Sequence, residues 1–153
     1  MTFSPTTPAL LVDLARAAER DGIAKTVVGA VIADGDGKVL LLRRPAGDYL
    51  GGLWELPSGG VDGGEDLAEA LRREVAEETG LMVSTIGDYL GYFDYRSGSG
   101  RATRQFNFTV AATGEAIKLT EHDAYRWADS AQHHRTSTAV RAVLDAWRAG
   151  TAR

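Results

Sequence analysis

The spacing of apolar positions changes several times along the chain, and each change marks an element. In "PALLVDLARAAERDG", Leu10, Leu11, Leu14, Ala17 and Ala18 recur at helical spacing and Gly22 ends the run. The pattern predicts an amphipathic helix that packs on the domain or on a partner chain. "KTVVGAVIA" and "KVLLLR" are apolar runs flanking "DGDG", which predicts two strands joined as a hairpin. "EDLAEALRREVAEETG" returns to the helical period, with Leu67, Leu71 and Val75 in one stripe and Gly80 as the stop. Asp62 and Glu65 carry the spacing of a capping box at its start.

Further on, "MVSTIGDYLGYFDY" and "RATRQFNFTVAA" read as strands across the turn "RSGSG", and a short strand is expected at "DAYRWA". "STAVRAVLDAWRA" closes the pattern as a helix burying Val140, Val143, Leu144 and Trp147. Residues 1 to 7, "MTFSPTT", are polar, contain proline and are expected to be loose. Strands, helix, strands, helix indicate a mixed α/β (α+β) layered domain. We divide the chain into an N-terminal extension with a helix, 1–22, and a main domain, 23–150.

One stretch has no clear period. "RPAGDYLGGLWELPSGGVDGGED" holds seven glycines and two prolines, Pro45 and Pro57. A connection this long inside a compact domain is usually functional. Asp34-Gly35-Asp36-Gly37 resembles the start of a calcium loop. Counted from Asp34, however, a twelve-residue loop ends at Pro45, where a bidentate Glu is required, so these residues are read as a turn.

Composition narrows the chemistry. A chain of 153 residues, 44% hydrophobic and 25% charged, fits one domain with one good core. No apolar run approaches the roughly 18–20 residues that span a bilayer, so no membrane association and a cytoplasmic location are expected. The net charge of −4 argues against a broad basic face, so no nucleic-acid partner is expected, although a small anion needs only a few arginines or a metal ion. Without cysteine there are no disulfides, thiolate zinc sites or cysteine nucleophiles.

The candidate chemistry lies at the end of the central helix. Glu74, Glu77 and Glu78 share one helical face, and Glu74 and Glu78 are like charges one turn apart. A helix C-terminus favours cations, so this placement is locally unfavourable. On the helical wheel Glu74 and Glu78 fall at or within the edge of the Leu67–Leu71–Val75 stripe. Carboxylates drawn toward the packed side need a cation or take up a proton. Arg73 reaches Glu69 and Glu77 but lies away from Glu78. A divalent metal with oxygen preference is the better candidate.

The segment Gly59, five residues, Glu65, seven residues, Arg73-Glu74-Val75-Ala76-Glu77-Glu78-Thr79-Gly80-Leu81 resembles the Nudix box, G-x5-E-x7-R-E-U-x-E-E-x-G-U, at every defined position. The flanking "LLLRRP" and "WELP" are also similar to the family, and the resemblance runs from about residue 25 to 130. It implies the Nudix fold, a mixed β-sheet sandwiched between α-helices, and hydrolysis of a nucleoside diphosphate linked to another moiety. It further implies that Glu74, Glu77 and Glu78, with the Gly59 carbonyl, bind Mg²⁺ or Mn²⁺, and that Arg73 and Glu65 orient these ligands.

Within that resemblance, Glu74 is expected to combine metal ligation with orienting or deprotonating water. Glu121 is a candidate late carboxylate of the kind some members use. Arg44 and Arg43 end a strand before the long loop and are candidates to bind substrate phosphate, one of them by strand alternation. Trp54, Leu56 and Tyr49 are candidates either to contact a base or to pack in the core. Arg101 and Arg104 are read as solvated hairpin charges, with contact to anions as the alternative. His122, His133 and His134 are read as surface residues, with His122 singled out because it adjoins Glu121.

The expected substrate is a small nucleotide, above all a nucleoside triphosphate, damaged or non-standard ones included, cleaved to monophosphate and pyrophosphate. ADP-ribose, nucleotide-sugar and dinucleoside polyphosphate hydrolysis are the alternatives. The proline that marks ADP-ribose hydrolases downstream of the box is absent here, and Tyr92 and Tyr95 lack the spacing of the polyphosphate group. A diphosphate isomerase of this fold would need a cysteine. A non-catalytic nucleotide sensor is the reading of another class, and the complete box speaks against it. Members are often homodimers, to which the N-terminal helix could contribute.

Overall fold

The computed structural model describes residues 4–48, 50–129 and 135–151. Tyr49, His133 and His134 lie outside the described residues.

Strand alternation sets the layers. Along β2 (Lys25–Ile32), Val28, Ala30 and Ile32 enter one core, whereas Val31 enters a second. Along β3 (Val39–Arg43), Leu40 and Leu42 join the first core, while Val39 and Leu41 join the second. Successive side chains point to opposite faces, so a strand buried on both faces reads as a continuous apolar run. The first core is covered by α1 (Pro8–Arg20) through Ala18 and by α2 (Leu67–Thr79) through Leu67, Ala70, Leu71 and Val75. The second is covered by α3 (Thr138–Thr151), whose Val140, Val143, Leu144 and Trp147 are the residues expected to be buried.

These layers rest on two sheets. The larger has five strands in the order β1-β6-β7-β2-β5, with β1 (Ser4–Pro5), β5 (Ser58–Gly60), β6 (Met82–Arg96) and β7 (Ala102–Thr113). β2 runs parallel to β7, from Lys25 opposite Thr103 to Ile32 opposite Val110, and the remaining pairings are antiparallel. The smaller sheet orders β4 (Trp54–Glu55), β3 and β8 (Ala124–Ala128), all antiparallel. The architecture is mixed α+β, as expected. No helix among the described residues is long and apolar enough to cross a membrane.

Four expectations need correction. The "DGDG" turn forms, with Asp34 Oδ1 accepting from the amides of Asp36 and Lys38 at 2.9 Å each. Only the bridge between Ala33 and Val39 follows it, because β2 and β3 then part into different sheets. Both edges of β2 are taken, by β7 and β5. The N-terminal segment is tied down where it is described: Ser4 and Pro5 pair with Tyr89 and Asp88, and Thr7 caps α1 at the amide of Leu10. The capping box of α2 is formed by Asp66 and Glu69, not by Asp62 and Glu65. The long glycine-rich stretch contains β4 and β5, and β5 pairs with β2 directly beside α2.

Candidate active site

Arg73 organises the N-terminal half of the site. Its Nε and Nη2 donate to the two oxygens of Glu65 at 2.7 and 2.8 Å, and Nη2 also donates to the Gly60 carbonyl at 2.8 Å. Nη1 donates to Glu74 Oε1 at 2.7 Å and to Glu77 Oε2 at 3.2 Å. Charge-assisted, forked contacts of this kind fix geometry as well as energy. The Arg73 hydrogen bonds hold Glu65 down at about pKa 2, while its own pKa is raised by the same partner. One guanidinium therefore fixes the start of the loop, the start of α2 and the carboxylate one residue on. Glu69, within reach by spacing, belongs to the capping box instead.

α2 ends at Gly80, whose φ of 77° is the left-handed conformation that suits glycine. That stop sets Glu78 in the last turn, facing inward. The Glu78 side chain is only 8% exposed, against 57% for Glu77. Burial raises Glu78 to about pKa 8 despite the hydrogen bond that its Oε1 accepts from the Ser58 amide at 2.7 Å. Burial also pushes Glu74 upward against the pull of Arg73. The wheel reading of Glu74 and Glu78 as carboxylates turned to the packed side matches these positions.

Gly59 permits a close approach. A Cβ there would overlap the carboxyl group of Glu74, so only glycine lets β5 lie against that side chain.

The segment before β8 is strapped to the C-terminal end of α2. The Lys118 amide donates to Thr79 O at 2.8 Å, and Thr120 Oγ1 donates to Glu77 O at 3.0 Å. This strap carries Glu121 into a cavity of about 310 Å³ that Glu78, Gly59, Ser58 and Arg44 also line. It also carries His122, which is not a surface residue. The His122 side chain is 5% exposed, 2.7 Å from Glu55 through Nε2, with Nδ1 3.8 Å from Glu78 and, among the described residues, without a hydrogen-bond partner. Burial alone would lower its pKa, but Glu55 and Glu78 together raise it.

Of the two arginines, Arg44 enters the site. It lines the cavity and meets Glu55 at 3.3 Å and Asp48 at 3.1 Å. Arg43 is turned away to Asp123 at 2.8 Å and stacks on Trp54, which Arg126 also covers. Trp54 and Leu56, at 3% and 0% exposure, are core residues; Leu56 forms part of a cavity floor. Arg104 is not a solvated charge: it is 4% exposed and paired with Asp94 and Asp21 at 2.7 and 2.9 Å. Arg101 donates to the Ala24 carbonyl across the sheet. Glu55, Lys25 and Gln105 line the cleft without having been singled out from the sequence. Only Glu55 left a trace there, as a carboxylate next to the box in "WELP".

The donor set fits a hard divalent cation, because Glu74, Glu77, Glu78 and Glu121 offer carboxylate oxygens and Gly59 a carbonyl. A buried carboxylate with a strongly raised pKa is the kind of group that a cation would stabilise in its ionised form. Among the described residues, no three acidic or histidine side chains stand at common ligating distance. Glu74 and Glu77 are instead drawn onto Arg73.

Comparison with known proteins identifies the family. A NUDIX domain model matches residues 24–147. The CTP pyrophosphohydrolase of Escherichia coli (strain K12) is 37% identical over 100 residues, covering 65% of this chain and 73% of that protein. An RNA pyrophosphohydrolase of Caulobacter vibrioides (strain NA1000 / CB15N) is 36% identical over 121 residues, covering 65% and 69%. The crystal structure of a MutT protein from Methanosarcina mazei Go1 superposes with a TM-score of 0.74 at 27% identity, over 84% of this chain and 96% of that one. With a family match over most of its length, relatives that are pyrophosphohydrolases and a complete box built around Arg73, the chain belongs to the NUDIX family and is a Nudix hydrolase.

Proposed function

We propose that the chain hydrolyses a phosphoanhydride bond of a nucleoside triphosphate, damaged or non-standard ones included, to monophosphate and pyrophosphate. Mg²⁺ or Mn²⁺ is held by Glu74, Glu77 and Glu78, with Glu121 and the Gly59 carbonyl as further donors. The observation that carries this reading is the gathering of Glu78, Gly59 and Glu121 with Arg44 in one cavity, beside Glu74.

A bound divalent ion neutralises phosphate charge and lowers the pKa of a water molecule. The side chains supply the rest. Arg44 and Lys25 line both this cavity and its neighbour, and offer positive charge to a phosphate chain passing between them. Arg73 orients Glu74 through Oε1. That leaves Glu74 Oε2 to align water and accept its proton. Glu65 holds Arg73 in place, a supporting role that gives a ligand set its precision. Arg43, engaged by Asp123, contributes to the frame rather than to the substrate.

A triphosphate at an RNA 5′ end is the second reading, favoured by relatives that are RNA pyrophosphohydrolases. The net charge of −4 favours the free nucleotide. The test is Mg²⁺-dependent turnover, read by separating all products and by assaying pyrophosphate, across nucleoside triphosphates, ADP-ribose, a dinucleoside polyphosphate and a 5′-triphosphate RNA. The strongest turnover is expected with a free triphosphate. A preference for the RNA, or for a substrate that yields no pyrophosphate, overturns the assignment.

A further inference from the structure

β7 alternates between two environments. Phe106 and Phe108 enter the first core, whereas Gln105 and Asn107 point to the opposite face of the sheet. Both amides are deep, at 6% and 0% exposure, so whichever of their polar atoms are sealed from solvent need partners within the protein. Gly29 on β2 makes room for them: a Cβ there would stand 2.5 Å from Gln105 Nε2 and 2.7 Å from Asn107 Oδ1.

The orientation of this pair follows from its surroundings. Asn107 Nδ2 donates to the carbonyls of Gly91 and Gln105, at 3.2 and 3.3 Å. Turned over, Asn107 would present an oxygen to two oxygens. Its Oδ1 therefore faces Gln105, whose Nε2 donates to it at 2.9 Å. The planar amide then directs Gln105 Oε1 away from Asn107. Among the described residues no donor meets that oxygen, and it is not sealed from solvent.

Gln105 lines both cavities of the cleft. Beyond Arg44 and Lys25, the larger space, about 490 Å³, is walled by Leu53, Leu56, Phe93, Tyr95 and Val140. Phe93 is the direct cross-strand partner of Gln105. A flat apolar body seated there meets Gln105 Oε1 as an acceptor of fixed orientation, whereas Glu55 and Asp94, which also line the space, are already engaged by arginine or histidine donors.

We infer that Gln105, held in one orientation by Asn107, selects the base by accepting a hydrogen bond from an exocyclic amino group. Cytosine- or adenine-type bases are taken over their keto counterparts, uracil and hypoxanthine, whose oxygen would face Gln105 Oε1. This rests on the nucleotide reading above and adds the chemistry of the base to it.

The test compares binding of CMP with UMP, and of AMP with IMP, to the full chain by calorimetry, because monophosphates need no turnover. The amino member of each pair is expected to bind about ten-fold more tightly, the scale of one unmade hydrogen bond at a buried acceptor. In Gln105→Leu the ratio is expected to fall toward one. Equal or keto-favouring binding by the unmodified protein overturns the inference, and so does a ratio unchanged by Gln105→Leu. If that variant does not fold, the ratios of the unmodified protein decide alone. Triphosphate turnover with Mg²⁺ is scored separately. Turnover without amino–keto discrimination overturns the base assignment only, while amino-selective binding without turnover supports it and overturns the triphosphate reading.

Discussion

The carboxylate of Glu74 occupies the space that a side chain at residue 59 would need. Gly59 is thus required by contact with a functional group rather than by a turn. The group it would displace is the end of a flexible side chain, so Gly59→Ala should fold with a stability loss within about 1 kcal/mol. Glu74 would have to leave its position beside β5, and misplacing such a group costs about a hundred-fold in rate. Thermal melts and turnover of the variant, read together, check this; normal activity would mean that Glu74 need not lie against β5.

Arg73 joins Glu65, Glu74, Glu77 and Gly60 through one planar group. Arg73→Ala should lower kcat/KM by about ten- to a hundred-fold, the usual effect of losing a partner that orients a ligand set. Arg73→Lys should restore little, because an ammonium cannot reproduce the fork. Metal titrations of both variants should show weakened affinity, and unchanged affinity would count against the orienting role.

Glu78 gives the pH dependence. Its pKa is raised from 4.5 to about 8 by burial in the folded protein. The protonated form is therefore favoured by folding: the stabilisation is full below about pH 4.5 and is lost as pH rises through about 8. Without metal, melting temperature should fall across that window more steeply in the unmodified protein than in Glu78→Gln. His122, also raised, contributes in the same direction, so the difference between the two proteins is the readable quantity. Equal slopes would contradict the buried carboxylate. Added Mg²⁺ should stabilise more strongly toward the alkaline end, where it no longer competes with a proton.

Much of this was legible from the sequence, and the reasons are local. The α2 stripe of Leu67, Leu71 and Val75, the Gly80 stop and the inward turn of Glu74 and Glu78 all follow from helical period within a few residues. The separation of β2 and β3 was not legible, because an apolar run bounded by a turn reads alike as a hairpin arm and as a central strand. Pairings across long separations left no signal. His122 meets Glu55 across 67 residues, and Arg104 meets Asp21 across 83. The burial of Gln105 and Asn107 was not legible either, since nothing nearby in the sequence announces that Gly29 vacates the opposing space.

His122 sits between Glu55 and Glu78 and is held there by the strap to α2. His122→Ala should cost about 1–3 kcal/mol by removing the partner of Glu55 Oε2, leaving Glu55 with Arg44 on its other oxygen alone. It should also weaken divalent-ion affinity through Glu78, with His122→Gln recovering part of both losses. Melts and metal titrations of the two variants check this; full stability in His122→Ala would remove the bridge from the account.

The central claim is that the carboxylates at the end of α2 hold the divalent ion that binds the phosphates. Anomalous diffraction from a crystal containing Mn²⁺ and a non-hydrolysable triphosphate analogue tests it most directly. The expected result is manganese density at Glu74 and Glu78, with the triphosphate between the ion and Arg44. Manganese held elsewhere, with both glutamates bare, would contradict it.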